Sequence, residues 1–106
     1  MTDTYETLKI EMHDPKIMVV IMNRPQALNA MNTKMMMEMR DCFQSFYVNP
    51  DQANCVILTG EGERGFCSGA DLKERDGMTE ETWKQQHAIV EQMVRALMIS
   101  PIPVIA

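Results

Sequence analysis

The chain has 106 residues, 45% of them apolar and 24% charged, a balance typical of a soluble globular domain or of part of one. Its net charge of −5 argues against a nucleic-acid-binding surface, which needs a clustered basic face, and no apolar run approaches the roughly 20 residues needed to cross a bilayer. The acidic, polar N-terminus does not resemble a signal or transit peptide, so a cytoplasmic location is expected. The three cysteines form no Cys-x-x-Cys pair and no histidine lies at metal-ligand spacing, so we expect reduced thiols and no metal site.

The first predicted elements are two strands joined by a turn. Residues 7–13 alternate imperfectly between apolar and polar side chains, and residues 16–23 form a continuous apolar run rich in β-branched residues. The Asp14-Pro15 pair predicts the turn, and the proline after Arg24 ends the second strand because it cannot donate a hydrogen bond to a sheet. We therefore expect a hairpin at the start of the chain.

A helix and a third strand follow the hairpin. Asn32 and Thr33 offer a helix cap, and the helix is expected to run to about Val48. Its apolar residues recur at spacings of three and four and predict one buried face, formed by Met35, Met39, Cys42, Phe43 and Phe46. Residues 53–60 predict another buried strand, and a glycine-punctuated loop follows it.

The last predicted elements are a second long helix and a short strand. Thr79 caps a helix that begins with two glutamates, which complement the helix dipole, and the helix is expected to reach Ser100. One stripe is expected to pack against the core: Trp83, His87, Val90, Val94 and Leu97. The apolar run 101–106 begins another strand, and because the sequence stops inside it, we expect the chain to be the front part of a longer protein.

The order β-β-α-β-α-β predicts an α/β fold. Strands that are separated by helices pair in parallel through right-handed crossovers. The sequence contains no repeat, linker or low-complexity tract, so residues 1–106 are expected to belong to one domain.

Two loops are candidates for a ligand site. Loop 23–32 leaves the carboxyl end of the second strand and loop 60–73 leaves that of the third, which is the edge where α/β sheets bind ligands. The first loop carries two alanines, and the second carries four glycines and one alanine. These small residues allow a ligand to approach the backbone, and a backbone N–H there could stabilise an oxyanion. On spacing alone, a tight turn that needs Gly69 and Ala70 explains the second loop better than a ligand does.

Three segments in this order change that interpretation: NRPQALNAMN at 23–32, VILTGEGERGFCSGADLKER at 56–75 and PIPVIA at 101–106. Together they resemble the crotonase superfamily of enoyl-CoA hydratases and isomerases, and the second segment is most similar to enoyl-CoA and methylglutaconyl-CoA hydratases. The resemblance implies the first part of a crotonase-like ββα spiral, cut inside a strand. Residues 1–106 would then be the N-terminal portion of a single crotonase-like domain.

The resemblance also implies a site. Members of this superfamily bind acyl-CoA thioesters without a separate cofactor and stabilise an enolate with two backbone N–H groups, of which the first would belong to Ala70. The CoA would lie between two loops, the first contributing Ala27, Leu28 and Ala30 and the second Ser68, Gly69, Asp71 and Leu72. Lys73, Arg75 and Arg24 are candidates for contacts with its phosphates, and solvated surface charges are an equal alternative. Members also tend to assemble as trimers or hexamers.

The same resemblance places the second oxyanion donor and the two catalytic glutamates beyond residue 106. The full-length protein is therefore expected to be an enoyl-CoA hydratase, a lyase, and residues 1–106 alone are expected to be inactive. The alternatives are another reaction of the superfamily (isomerase, hydrolase or decarboxylase) or a non-catalytic acyl-CoA-binding fragment that needs a complement.

Structural or solvated roles are expected for several other polar side chains. Asp71 should cap backbone N–H groups of the turn that follows it, and Asn29 should tie backbone groups of its loop together. Glu74 and Asp76 are expected to lie in solvent, and His87 is expected to be a partly buried core residue.

Overall fold

A computed structural model describes residues 5–106, and in it four strands form one mixed sheet in the order β1-β2-β3-β4. The strands are β1 (Leu8–His13), β2 (Ile17–Met22), β3 (Cys55–Gly60) and β4 (Val104–Ile105). The first two form the predicted antiparallel hairpin, whereas β2, β3 and β4 pair in parallel. The α/β prediction and its order of elements are therefore confirmed.

Within residues 5–106, three helices connect the strands: α1 (Thr33–Val48), α2 (Leu72–Arg75) and α3 (Glu80–Met98). Two short 3-10 turns precede α1 and β3, at Pro25–Ala27 and Pro50–Gln52. The single turn of α2 lies in the predicted loop, directly after the small residues. In the part of the chain that the structure describes, no helix combines the length and apolar character needed to cross a membrane.

Helix α1 is built as its sequence predicts. Asn32 caps it by accepting a hydrogen bond from the N–H of Met35 at 2.9 Å. The predicted apolar face is buried, and the rings of Phe43 and Phe46 meet edge to face at 5.1 Å. Burying each of these large side chains contributes on the order of 1.5–3 kcal/mol, so this face anchors the core against the sheet.

Helix α3 is rotated relative to the packing that its apolar residues predict, although Val90 and Leu97 of the predicted stripe are partly buried against the core. The prediction was wrong for Trp83 and Val94, which are 45% and 42% exposed. The buried positions are Gln86, Met93 and Ala96, which are also spaced as one helical face. The pattern misleads because Gln86 is polar, and its burial depends on hydrogen-bond partners contributed by other segments.

His87 is likewise exposed rather than part of the core, which corrects the expectation from sequence. Its ring stacks on that of Trp83 with the centroids 5.3 Å apart, and its Nε2 lies 3.3 Å from Glu91 Oε1. These contacts all run along the solvent side of α3. They explain the histidine without any catalytic role.

The start of β1 is anchored by a buried carboxylate on α1 that sequence inspection did not single out. Glu38 accepts hydrogen bonds from the backbone N–H groups of Glu6, at 2.9 Å, and Thr7, at 2.8 Å. The hydroxyl of Thr7 donates to the same carboxylate. The charge is thus buried with its hydrogen bonds satisfied, and it ties the edge strand to α1.

Candidate functional site

The two candidate loops lie side by side because β2 and β3 are parallel neighbours. Met22 and Gly60, the last residues of these strands, are register partners, so the loops after them start at the same edge of the sheet. Further along, Met31 and Ala70 form an isolated parallel bridge. The bridge joins the alanine-rich loop to the small-residue loop over the end of the sheet.

Asn29 holds these loops together, as predicted. Its side chain is fully buried, and its Oδ1 accepts a hydrogen bond from the N–H of Arg24 at 2.8 Å. Its Nδ2 donates to the carbonyls of Glu61, at 3.0 Å, and Gly65, at 3.2 Å. The amide packs so closely that a Cβ at Gly60 would lie 2.6 Å from it, so this position requires glycine.

Between the loops lies an open cleft of about 660 Å³. Most residues that the sequence predicted for the CoA site line it, namely Arg24, Ala27, Leu28, Ala30, Ser68, Ala70, Asp71, Leu72 and Lys73. Gly69 and Arg75 do not line it, and Arg75 Nε instead donates to Gln86 Oε1 at 3.1 Å. Gln26 and Arg64 line it as well and were not predicted. The structure thus gathers most of the predicted residues around one space, and their contact with a ligand stays a prediction.

The backbone at Ala70 presents a hydrogen-bond donor that the described part of the chain does not use. Met31 donates to the carbonyl of Gly69 at 2.7 Å and accepts from the N–H of Asp71 at 3.0 Å. In a parallel bridge these bonds flank the middle residue, whose own N–H points away from the neighbouring segment. No acceptor for the Ala70 N–H lies within residues 5–106. Gly69 permits the turn with a φ of 98°, a conformation that other residues rarely adopt.

Asp71 caps α2 and also pairs with Arg24. Its Oδ1 accepts from the N–H groups of Lys73, at 3.0 Å, and Glu74, at 3.3 Å, which confirms the predicted capping role. Its Oδ2 lies 3.1 Å from Arg24 Nη1. Burial raises the pKa of Asp71, but the Glu74 N–H, the Arg24 guanidinium and the Lys73 N–H together outweigh it and hold that pKa below its ordinary value.

The cations around the cleft differ in how they are held. Arg24 Nη1 also donates to the carbonyl of Ala30 at 2.6 Å, and its side chain is only 17% exposed, so Arg24 bridges the two loops. Arg64 and Lys73 are exposed, and neither side chain has a hydrogen-bond or ion-pair partner within residues 5–106. Two cations at this cleft are therefore available to an anionic ligand, in a chain whose net charge is −5.

Glu74 does not lie in solvent, which corrects the expectation from sequence. Its Oε1 accepts from the N–H of Thr33 at 2.8 Å, from the hydroxyl of Thr33 at 2.9 Å and from Nε2 of Gln86 at 2.9 Å. The carboxylate faces the first turn of α1, whose N–H groups lack partners within the helix. Asp76 is exposed, as expected. Among residues 5–106, no group of three or more His, Cys, Asp and Glu residues could hold a metal ion.

Comparison with known proteins agrees with this fold. The sequence profile of the enoyl-CoA hydratase/isomerase family matches residues 13–106. The short-chain-enoyl-CoA hydratase of Clostridium acetobutylicum is 37% identical over 91 residues, which is 86% of this chain and 34% of that protein. The crotonyl-CoA hydratase of Syntrophomonas wolfei is 31% identical over 103 residues, 96% of this chain and 38% of that protein.

A solved structure extends the agreement to three dimensions. The enoyl-CoA hydratase of Bacillus anthracis superposes with a TM-score of 0.86 at 28% identity, over 93% of this chain and 38% of that one. The chain thus spans little more than a third of the length of these three relatives, and it corresponds to the N-terminal part of family members. With a family profile that covers nearly its whole length, the chain belongs to the enoyl-CoA hydratase/isomerase, or crotonase, family.

Proposed function

We propose that the cleft binds an acyl-CoA thioester and that the Ala70 N–H is the first oxyanion donor of an enoyl-CoA hydratase. The observation that carries the proposal is that the N–H of Ala70, a residue that lines the cleft, has no acceptor within residues 5–106. The bridge to Met31 uses the Gly69 carbonyl and the Asp71 N–H on either side of Ala70. The family supports the proposal, because its members use no separate cofactor and CoA is part of their substrate.

The chemistry needs such a donor. When water adds to C3 of a 2-enoyl thioester, the electron pair of the double bond moves onto the thioester oxygen and forms an enolate, and C2 then takes up a proton. A hydrogen bond aimed at that oxygen grows stronger as the negative charge develops. Removal of one such donor in an enzyme raises the barrier by roughly 2.7–4 kcal/mol.

Of the remaining residues that line the cleft, some shape it and others contribute charge. Ala27 and Ala30 leave room for the CoA to lie against the backbone, and Leu72, 75% exposed, offers an apolar surface beside it. Lys73 is the candidate for phosphate contact, because its ammonium has no partner within residues 5–106. Arg24 acts differently, since its guanidinium joins the loops through Asp71 and Ala30.

Acid–base catalysis is the part of the reaction that the cleft does not provide. Among residues 5–106, the one carboxylate that lines the cleft is Asp71, whose oxygens accept two backbone N–H groups and face Arg24. Such a carboxylate is a weak base, because its charged form is stabilised. We therefore propose that residues 1–106 alone bind acyl-CoA without turnover, as one portion of a single domain. The second donor and the acid–base pair come from further chain, and the complete cytoplasmic protein is a trimer or hexamer.

The direct test is binding and turnover with crotonyl-CoA. Calorimetric titration of the chain should show binding that weakens as salt is raised and weakens further in Lys73→Ala, because phosphate contacts depend on ionic strength. Lys84→Ala is the matched control, since Lys84 is an exposed lysine on α3 that pairs with Glu80 and does not line the cleft.

Hydrogen exchange of the Ala70 amide adds the decisive readout. In the free chain this N–H should exchange rapidly, whereas the Asp71 N–H, which is bonded to Met31, should be protected. Saturation with crotonyl-CoA should slow exchange at Ala70 specifically. Binding without any protection at Ala70 would refute the oxyanion role. Full hydration activity of the 106-residue chain would refute the proposal that the acid–base pair and the second donor come from further chain.

A further inference from the structure

We propose that Glu74 is a positioning residue that, together with Gln86 and Thr33, holds the Ala70 N–H in place and couples α3 to it. This inference rests on the function proposed above, in which Ala70 is the oxyanion donor. It adds residues that do not line the cleft and to which the resemblance to crotonases assigns no role.

The cluster joins three helices at one carboxylate oxygen. Glu74 Oε1 accepts from the N–H and the hydroxyl of Thr33, at the first turn of α1, and from Gln86 Nε2 on α3. Gln86 Nε2 also donates to the Thr33 hydroxyl at 2.9 Å, and Gln86 Oε1 accepts from Arg75 Nε at 3.1 Å. Gln86 is 2% exposed, so its amide is buried with both ends satisfied.

Charge favours this arrangement as well. The first turn of α1 contains no acidic residue of its own, and the N-terminal end of a helix carries a partial positive charge. Glu74 supplies the negative charge from another segment and binds an N–H that the helix leaves unpaired. The carboxylate is therefore stabilised where it lies, and it stabilises the end of α1 in return.

The link to Ala70 is short and is tied at both ends. Helix α2 is a single turn that starts two residues after Ala70, and a helix of this length is not stable unless neighbouring groups fix it. At its start, Asp71 is held by the carbonyl of Met31 and by Arg24. Near its other end, Glu74 is held by α1 and α3. The orientation of the segment that carries Ala70 therefore depends on both ties.

The positioning role can be tested by exchanging the carboxylate and the amide between positions 74 and 86. Gln86→Glu alone places two carboxylates where the structure has a 2.9 Å hydrogen bond, so it should displace α2. Glu74→Gln alone removes the charge from the end of α1. The double variant Glu74→Gln/Gln86→Glu keeps one amide and one carboxylate in contact and should restore the geometry, a pattern that a double-mutant cycle measures. Glu81→Gln is the matched control, because Glu81 is an exposed glutamate on α3.

Two readouts report position rather than general stability. The first is the amide 1H–15N signal of Ala70 in the free chain. The second is the carbonyl signal of acetyl-CoA labelled with 13C at the thioester carbonyl, which shifts when the oxygen accepts a hydrogen bond. We expect Gln86→Glu to move the Ala70 signal and to reduce the carbonyl shift, with affinity lowered about fivefold, as expected for the loss of one hydrogen bond to the thioester oxygen. The double variant should recover both signals.

The outcomes separate this inference from the function on which it rests. If Gln86→Glu leaves the Ala70 amide and the carbonyl shift unchanged in a folded chain, or if the double variant is no better than Gln86→Glu, the positioning role is wrong. If the wild-type chain binds acetyl-CoA without any carbonyl shift, the oxyanion role of Ala70 fails instead. The Ala70 amide in the free chain then still decides whether Glu74 and Gln86 position that segment.

Discussion

Replacement of Asn29 by alanine should strongly destabilise the chain. The substitution leaves one partly buried N–H, that of Arg24, and two carbonyls, those of Glu61 and Gly65, without their partner. Each lost hydrogen bond contributes about 1 kcal/mol, so the three sum to roughly 3 kcal/mol. Asn29 also adopts a φ of 56°, which asparagine tolerates better than alanine does, and this adds up to about 1 kcal/mol.

Equilibrium unfolding in urea measures this cost, with Asn32→Ala as the matched control. Asn32 lies three residues away and makes one capping bond, to Met35, whose loss should cost about 1 kcal/mol. Asn29→Ala should therefore lower the free energy of unfolding by about 3–4 kcal/mol, roughly three times as much as the control. Equal effects of the two alanine variants would show that the buried amide does not hold the loops together. Binding of crotonyl-CoA should also weaken in Asn29→Ala but not in Asn32→Ala, since the cleft depends on the loops that Asn29 joins.

Three further predictions concern Asp71, Glu38 and the apolar face of α3. Hydrogen bonds and Arg24 depress the pKa of Asp71 in the folded state, so its contribution to stability is complete above the unfolded pKa of about 3.9 and is lost as the pH falls through the folded pKa. Unfolding measured from about pH 6 to about pH 2 should therefore show that wild type is more stable than Asp71→Asn near pH 6 and that the difference disappears in acid. Glu38→Ala should lower the free energy of unfolding by about 2–3 kcal/mol, because two backbone N–H groups lose their acceptor. Hydrogen exchange of the Thr7 amide should accelerate more than that of amides in the rest of the sheet. Val94 and Met98 are 42% and 80% exposed and lie on one apolar face of α3. Light scattering should therefore show that the chain self-associates and that Val94→Lys reduces the association. A monodisperse, monomeric wild-type chain would contradict this.

Most of the framework could be predicted from local patterns along the chain. The hairpin, the cap at Asn32, the buried face of α1 and the capping by Asp71 all depend on residues within a few positions of one another. Periodicity and capping act over one or two turns, so the sequence displays them directly. The small residues of the two loops and their resemblance to crotonases also predicted which residues would line the cleft.

The remaining features depend on contacts between distant residues. The buried face of α3 was mispredicted because the burial of Gln86 depends on hydrogen bonds to Thr33, Glu74 and Arg75, which are 53, 12 and 11 residues away in the chain. Glu74 looked like a surface charge for the same reason. The Ala70 N–H has no acceptor within residues 5–106 because of the register between Met31 and its bridge partner, and no local pattern encodes that register. A hydrogen bond between remote segments leaves no periodic trace in a sequence, so these polar contacts emerged only when the chain was folded.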